Sequence, residues 1–371
     1  MNAPFSSDSG PTAFSFAVIG KVLSATSSGN VSFPCPSYFA ICTTKNKDLS
    51  IHSIYQDLSN EDRKGYLKIL DFLIQNDYGI LVDDAKTLPP LSMEFEMPFH
   101  LTNAIICTDN SDSELLFNAI RNLVDFRITA LQINDIGVMS LNTLETINEL
   151  TISSSIECIH IKTHFSSFYE LDDFRLSNRF RSIHFFKAPK DKLQEQVNNS
   201  YPDIRYFVKD IDFLNCGNVG KKYFVNNLPF FTEAQCHNTC LNRKVCIDAE
   251  GNIKNCPAMS KSYGNIKDTT LEEAINKPGF KDLWFVNKDK IDVCKDCEFR
   301  YMCTDCRAFI KDPGNIYSQP AKCTYNPYIC LWEGQEGYVP VEECGTYSRE
   351  TGFVPDKKKI AMLNRKIWGE D

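Results

Sequence analysis

The segment from Cys240 to Cys323 reads CLNRKVCIDAEGNIKNC at residues 240–256, then CKDCEFRYMCTDC at residues 294–306, and ends with a last cysteine. The spacing is Cys-x5-Cys-x4-Gly-x4-Cys, an insert, Cys-x2-Cys-x5-Cys-x2-Cys, and one further Cys. The first ten residues contain no basic region followed by an apolar core, so no secretory signal is evident. Eight thiols at short, ordered spacings in such a chain indicate metal binding.

Thiolate sulfur is a soft ligand that suits iron–sulfur clusters and zinc. Two four-ligand sites need eight ligands, which is the number that this segment supplies. A double zinc-ribbon site is an alternative, because Cys-x2-Cys pairs also bind zinc. A disulfide framework is a second alternative for the same cysteines. The spacing alone leaves the three kinds of site open.

The order of thiols resembles the SPASM domain, the C-terminal extension of radical S-adenosylmethionine enzymes that modify peptides. That domain has the pattern Cys-x9-15-Gly-x4-Cys, Cys-x2-Cys-x5-Cys-x3-Cys and a final Cys. The positions that fit the pattern are Cys240, Gly251, Cys256, Cys294, Cys297, Cys303 and Cys323. One departure is the gap between Cys303 and Cys306, which is two residues instead of three.

The resemblance implies two iron–sulfur clusters, of the 4Fe–4S type, with interleaved ligands. The ligands implied for auxiliary cluster I are Cys240, Cys246, Cys256 and Cys306. Those implied for auxiliary cluster II are Cys294, Cys297, Cys303 and Cys323. We expect the other eight to be small buried apolar residues; they are Cys35, Cys42, Cys107, Cys158, Cys216, Cys236, Cys330 and Cys344. Cys330 and Cys344 flank the last ligand as possible substitutes, and His237 is a spare-ligand candidate.

The residues between the cysteines indicate a more specific family. HNTCLNRKV, YGNIKDTTLEEA, CKDCEFRYMCTDCRAF and CTYNPY are similar to the SPASM-domain peptide maturases of grasp-with-spasm systems. In those systems a ribosomally synthesised precursor peptide is modified and an ATP-grasp ligase is the partner enzyme. The similarity is strongest over residues 230–371. It implies peptide maturation with these two partners.

Length, composition and charge limit the number of domains and the classes of partner that the chain can have. The chain has 371 residues, of which 43% are hydrophobic, so it is long enough for two or three folded domains. The formal net charge of −8 argues against a nucleic-acid-binding surface. No apolar run reaches the length that crosses a bilayer. Sixteen cysteines without a signal peptide fit a reducing cytoplasm, which is the location that we expect.

Residues 12–98 are predicted to form a small α+β module. FSFAVIG, SYFAIC and GILVD are short runs typical of strands. A helix is predicted to begin after Ser59 or Asn60, because acidic residues and an apolar helical face follow. By analogy with other peptide-modifying enzymes, this module is interpreted as winged-helix-like and leader-binding; a plain structural domain is the alternative.

Residues 99–229 alternate between buried strand runs and amphipathic helices at intervals of about 25 residues. This alternation is typical of βα units on a parallel sheet. Five or six such units make a partial (β/α) barrel, here radical-SAM-like, so the predicted class is α/β. Residues 230–345 are assigned to the SPASM domain. Residues 346–371 are assigned to a basic amphipathic helix that docks on it.

The barrel region lacks the Cys-x3-Cys-x2-Cys motif that holds the reactive cluster of a radical-SAM enzyme. The first barrel strand ends at Cys107, but Ser111 and Glu114 occupy the next two ligand positions. We therefore expect a degenerate barrel without an S-adenosylmethionine-binding cluster. No catalytic residue is identified.

Two functions remain open from sequence. In the first, a cluster-bearing accessory protein binds the precursor and presents it to the ligase. In the second, a peptide-modifying redox enzyme uses its auxiliary clusters directly.

Overall fold

The computed structural model describes residues 13–15, 55–56, 58–75, 80–82, 94–109, 112–167, 176–193, 202–212 and 216–369. Its strands are β1 Ala13–Ser15, β2 Ile80–Val82, β3 Asn103–Thr108, β4 Ala130–Asp135, β5 Cys158–His164, β6 Phe180–Phe186, β7 Lys192–Leu193, β8 Asp203–Tyr206, β9 Lys244–Ile247, β10 Ile253–Lys254, β11 Tyr325–Asn326, β12 Leu331–Trp332, β13 Gly345–Ser348 and β14 Gly352–Pro355. Its α-helices are α1 Asn60–Gln75, α2 Ser113–Asp125, α3 Leu141–Thr151, α4 Leu228–Cys236, α5 Leu271–Asn276 and α6 Lys357–Trp368.

An eight-stranded, mostly parallel sheet dominates the described chain, with the order β10-β9-β3-β4-β5-β6-β8-β7. The two edge strands, β10 and β7, are antiparallel to their neighbours, and every other pairing is parallel. The predicted α/β class is confirmed, and the arrangement is consistent with a partial β/α fold. Strands β9 and β10 come from beyond residue 230, so the cysteine-rich region contributes directly to this sheet.

Helices α2 and α3 cover one face of the sheet. Each begins at a side-chain cap: Asp112 accepts a hydrogen bond from the Leu115 N–H, and Ser140 accepts one from the Thr143 N–H. Alternate strand residues are fully buried against these helices, as the period-2 geometry of a strand requires. The resulting core contains Ala104, Ile106, Leu131, Ile133, Ile159, Ile161, Ile183, Phe185, Leu116, Ile120, Leu144 and Ile147.

The alternation of strands and helices predicts a helix after β6, and this prediction is partly wrong. The Lys- and Gln-rich stretch after β6 contains the short strand β7, which pairs with β8. The backbone of β8 has a free hydrogen-bonding edge on that side, and pairing with β7 satisfies part of it. The rest of the stretch lies outside the described residues, as do the predicted strand SYFAIC and much of the segment between β5 and β6.

The insert between the cysteine blocks contains a short α-helix and a 3-10 turn. Helix α5 begins at a capping box formed by Thr270 and Glu273 and ends before Pro278. Trp284 follows in a 3-10 turn and is buried against Phe280.

The C-terminal helix α6 is shorter than the helix predicted over residues 346–371, because β13 and β14 form a hairpin before it. The helix docks on the protein. Ile360, Leu363 and Ile367 pack against a small core, and the Trp368 indole N–H donates to the Ile329 carbonyl at 3.2 Å. Of the helices in the described ranges, none is both long and apolar enough to cross a membrane.

The amino-terminal region is described only in part. Helix α1 begins at Asn60 and β1 pairs antiparallel with β2, in agreement with the predicted strand–helix–strand order. The winged-helix-like interpretation rests on residues outside the described ranges and remains a prediction.

Candidate metal centres

Four thiols line one pocket in the C-terminal region, and we refer to them as thiol group II. They belong to Cys294, Cys297, Cys303 and Cys323. The pocket encloses about 330 Å³ of space, part of which is open to solvent. These are the four residues that the resemblance implies as ligands of auxiliary cluster II. The fold therefore brings all four together.

Short backbone turns position the first two of these thiols. Cys294 begins a 3-10 turn, and the Cys297 N–H donates to its carbonyl at 3.0 Å. The preceding Val293 has a φ of +66°, a left-handed conformation that β-branched residues rarely adopt. Strain of this kind persists where the surrounding structure requires it, and it is frequent at functional sites.

Aromatic rings form one wall of the group II pocket. The rings of Tyr325 and Trp332 lie 4.8 Å apart, and those of Phe299 and Tyr325 lie 5.1 Å apart. Burial raises the pKa of Cys294 to about 11 and also raises that of Cys297. These thiols bind a metal as thiolates, so ligation releases protons.

A buried lysine lies beside thiol group II. The Lys288 side chain is 5% exposed, and its Nζ lies 3.9 Å from the Cys294 Sγ and 3.5 Å from the Asp305 Oδ1. Burial opposes the charged ammonium, but Cys294, Cys303 and Asp305 outweigh it and raise the pKa of Lys288. A fixed positive charge at this position offsets the negative charge of a thiolate-ligated cluster.

A second set of thiols, thiol group I, consists of Cys216, Cys240, Cys256 and Cys306. The Cys216 and Cys306 thiols are neighbours, and each has the largest effect on the pKa of the other. Cys216 interacts electrostatically with Cys240 and Cys256, and Cys256 interacts with Cys240 and Cys306. Each member thus interacts with at least two of the others. Three of the four are the ligands that the resemblance implies for auxiliary cluster I.

Thiol group I also has its own lysine. The Lys244 Nζ donates to the Cys240 Sγ at 3.5 Å. Burial opposes its charge, whereas Cys240 and Cys256 raise the pKa of Lys244 above its ordinary value. Cys240 itself is held by Asn238, whose side-chain oxygen accepts a hydrogen bond from the Cys240 N–H at 3.0 Å. Each of the two groups therefore consists of four thiols with one lysine beside them.

The fourth implied ligand of auxiliary cluster I, Cys246, lies elsewhere. It is fully buried on β9, where it pairs with Ile105 and Lys254 of the flanking strands. Its thiol lies beside that of Cys107, and each of the two has the largest effect on the pKa of the other. Its interaction with thiol group I is electrostatic, with Cys256. The structure thus places Cys216 beside Cys306, and Cys246 beside Cys107 in the sheet.

A buried ion network joins the two thiol groups. Asp305 is 1% exposed and accepts hydrogen bonds from Arg307 at 2.7 Å and from Asn238 at 2.5 Å. It also forms the 3.5 Å ion pair with Lys288. Because Asn238 holds Cys240 and Lys288 contacts Cys294, one carboxylate connects residues of both groups. Both Asp305 and Arg307 are buried, so this network lies inside the protein.

The donor sets fit iron–sulfur clusters. Four soft sulfur ligands are the usual number for a 4Fe–4S cluster, and each group pairs them with a buried or half-buried cation. Within the described ranges, no three His, Cys, Asp or Glu side chains converge closely enough to hold a single metal ion.

Two of the three positions compared with the S-adenosylmethionine-cluster motif lie in the described residues. Cys107 is the next-to-last residue of β3 and is buried beside Cys246. Glu114 lies in the first turn of α2 and forms an exposed ion pair with Arg121 at 2.8 Å. Ser111 lies outside the described residues.

The sheet face opposite the helices is polar. Cross-strand neighbours on it form one row, Cys107, Asn134, Lys162, His184 and Arg205, beside a second row, Ile105, Gln132, His160, Ser182 and Asp203. Parallel sheets are ordinarily apolar on both faces, so a polar face points to a function. Polar and apolar residues alternate in CIHIKTH, residues 158–164, and this alternation indicates a polar face. The strand was predicted to be uniformly buried.

The polar face reaches thiol group I. Lys162 interacts electrostatically with Cys216 and Cys107, and burial lowers its pKa. Burial, and then the nearby Lys162, lowers the pKa of His184 to about 4, so this imidazole is neutral at physiological pH. A hydrogen bond of 2.7 Å links His160 to Ser182. The face therefore presents Lys162 beside neutral hydrogen-bonding groups, and the Arg205–Asp203 ion pair lies at the end of the same rows.

The spare-ligand candidates have other contacts. Cys344 is fully buried in the core under α6, where it accepts a hydrogen bond from Asn326 at 3.3 Å. The Cys330 thiol donates to the Pro327 carbonyl at 3.9 Å. His237 packs against Phe95 and Phe285.

Comparison with protein families agrees with this geometry. Residues 236–298 match SPASM, an iron–sulfur cluster-binding domain. A comparison with curated proteins returned no significant match. The match covers the first cysteine block and the beginning of the second, and it links the chain to iron–sulfur-dependent modification chemistry of the radical-SAM-associated kind. The chain therefore carries a SPASM iron–sulfur cluster-binding domain.

Proposed function

We propose that this protein takes part in the maturation of a ribosomally synthesised peptide, binding the precursor and presenting it to an ATP-grasp ligase. The observation that carries the proposal is the polar sheet face that ends at thiol group I, because it joins a binding surface to a cluster site. The barrel is interpreted as radical-SAM-like, and the clusters are interpreted as two 4Fe–4S centres. The similarity to grasp-with-spasm maturases supports the choice of partners.

The thiol groups support a structural role for the clusters. Four thiols in each group provide a sulfur ligand for every iron of a four-iron cluster. Such clusters would supply electron-transfer capacity when bound and would fasten the loops that contribute the thiols. With each iron already ligated by the protein, no position remains for substrate. This favours an accessory role over direct catalysis.

The residues of the polar face are suited to a peptide with acidic side chains. The Lys162 ammonium is a candidate partner for a carboxylate, and a half-buried cation attracts one more strongly than a solvated cation does. Gln132 and Asn134, hydrogen-bonded to each other at 2.8 Å, offer amide groups to a peptide backbone. ATP-grasp ligases activate carboxylates, so a site that holds an acidic segment suits their substrate. Residues 12–98 remain the candidate leader-binding module.

We expect the protein to change the rate or the site of modification when precursor, ligase and ATP are mixed. Product masses from reactions with and without the full-length chain measure this directly. Identical products and rates in both reactions would contradict the accessory role.

A matched pair of lysine variants tests the polar face. We expect Lys162→Met to weaken precursor binding at least tenfold, whereas Lys366→Met on the exposed side of α6 has no effect. Fluorescence anisotropy of a labelled precursor measures the binding affinity of both variants. A precursor whose Glu and Asp residues are changed to Gln and Asn is the control. Equal binding by the two variants would contradict the assignment of this face.

A direct redox role is the second candidate function, and the aromatic-lined pocket at thiol group II is the observation that favours it. A redox enzyme would alter the precursor without ligase or ATP. Mass spectrometry of precursor incubated with reduced, cluster-loaded protein distinguishes it from the accessory protein, which leaves the precursor unchanged.

A further inference from the structure

We propose that Cys216, and not Cys246, is the fourth ligand of the cluster bound at thiol group I. The inference rests on the proposed iron–sulfur function and identifies one ligand within it. Cys216 lies 24 residues before the cysteine-rich segment, in the loop between β8 and α4, and outside the matched SPASM residues. Neither its spacing nor the family match assigns it a role.

The first argument is contact. Cys216 precedes Gly217, whose backbone lies against the Cys306 Sγ, and the Cys216 thiol interacts electrostatically with Cys240 and Cys256. Cys246 instead lies beside Cys107 in the sheet. Replacing Cys246 by Cys216 gives four interacting thiols contributed by four separate segments. Ligands drawn from separate segments allow the chain to surround a cluster.

The second argument is the backbone around Cys216. Gly217 adopts a φ of +74°, and a Cβ at this position would lie 2.8 Å from the Cys306 Sγ. Only glycine allows the loop to come this close to the thiol. The Lys322 Nζ donates to the Cys216 carbonyl at 2.8 Å, which ties the loop to the residue before Cys323 of thiol group II. The loop is thus held against both groups.

The third argument is the strand position of Cys246. Lys244 and Cys246 project from the same face of β9, about 6.6 Å apart at 3.3 Å per residue. The lysine, not the cysteine, points to Cys240, with its Nζ 3.5 Å from the Sγ. Turning the Cys246 side chain toward the group would take its thiol away from Cys107. Cys246 and Cys107 form a separate buried thiol pair.

Paired single-thiol variants test the inference on the full-length protein. Cys216→Ala should lose about half of the iron and acid-labile sulfide, since one of two four-iron clusters is lost. Cys246→Ala should retain the wild-type amount. Electron paramagnetic resonance of the reduced protein should show one cluster signal in the first variant and two in the second. Full iron and both signals in Cys216→Ala would overturn the proposal.

Alkylation provides a readout that does not depend on a substitution. Cys216 and Cys236 are both exposed, so both should react with iodoacetamide in apoprotein. In cluster-loaded protein, Cys236 should react and Cys216 should be protected, because a thiolate bound to iron is a poor nucleophile. Equal labelling of both cysteines in loaded protein would contradict ligation by Cys216. These results do not depend on whether the protein alters the ligase reaction, so the two proposals fail separately.

Discussion

Replacing Cys294 with Ala is expected to remove one cluster and to destabilise the C-terminal region strongly. Cys294 is 6% exposed and is one of four thiols around the group II pocket. Binding energy at a metal site formed by folding is also folding energy, so the loss of a ligand lowers stability. We expect about half of the wild-type iron and a melting temperature lower by more than 10 °C. Iron analysis and calorimetry under anaerobic conditions measure the two effects.

Cys344→Ala is the matched control for this variant. Its thiol is also fully buried, but it lies in the core under α6, next to Asn326, and in neither thiol group. A small cavity there costs about 1 kcal/mol and leaves both clusters in place. If the two variants retain the same amount of iron, the assignment of Cys294 to a cluster is wrong.

Lys288→Met is expected to have the second-largest effect. Its removal leaves Asp305 buried with Arg307 as its remaining cation and takes the positive charge away from Cys294. Breaking a buried ion pair typically costs 3–5 kcal/mol, and because Arg307 is retained we expect about 3 kcal/mol. The cluster at thiol group II should also become harder to reduce, since adding an electron near a lost cation is less favourable. Its reduction potential should therefore become more negative.

Chemical denaturation and a potentiometric titration followed by electron paramagnetic resonance measure these two changes. Lys290→Met is the control. Lys290 is an exposed lysine two residues away, and its side chain donates to the Phe285 carbonyl. Its effect on both quantities should be within error of wild type. An unchanged potential in Lys288→Met would show that this lysine does not tune the cluster.

The main elements of the sheet were predictable because their signals are local. Strands β3 to β6 are apolar runs, and helices α2 and α3 begin at Asp112 and Ser140, which have the side-chain oxygens that cap helices. The membership of β9 and β10 in the same sheet was not predicted. Strand pairing between residues about 140 positions apart depends on the tertiary fold and leaves no pattern in either segment.

The site was predictable to the extent that ligands follow one another in sequence. The second cysteine block supplies three of the four members of thiol group II within ten residues, and spacing identifies them. Cys216 stands alone in its loop, so spacing gave no reason to choose it. No sequence pattern identified Lys244 or Lys288 as a neighbour of the thiols either. The sequence KDK around Lys288 resembles an ordinary exposed turn. Only the fold shows that this side chain is buried beside Cys294.

Metal and sulfide analysis of anaerobically purified, full-length protein tests the central claim most directly. Two 4Fe–4S clusters predict about eight iron atoms and eight acid-labile sulfides per chain, a brown colour and negligible zinc. Two tetrahedral zinc sites on the same thiols would instead give about two zinc atoms and no sulfide. The first result is the one that our interpretation of thiol groups I and II predicts. Zinc without acid-labile sulfide would contradict it.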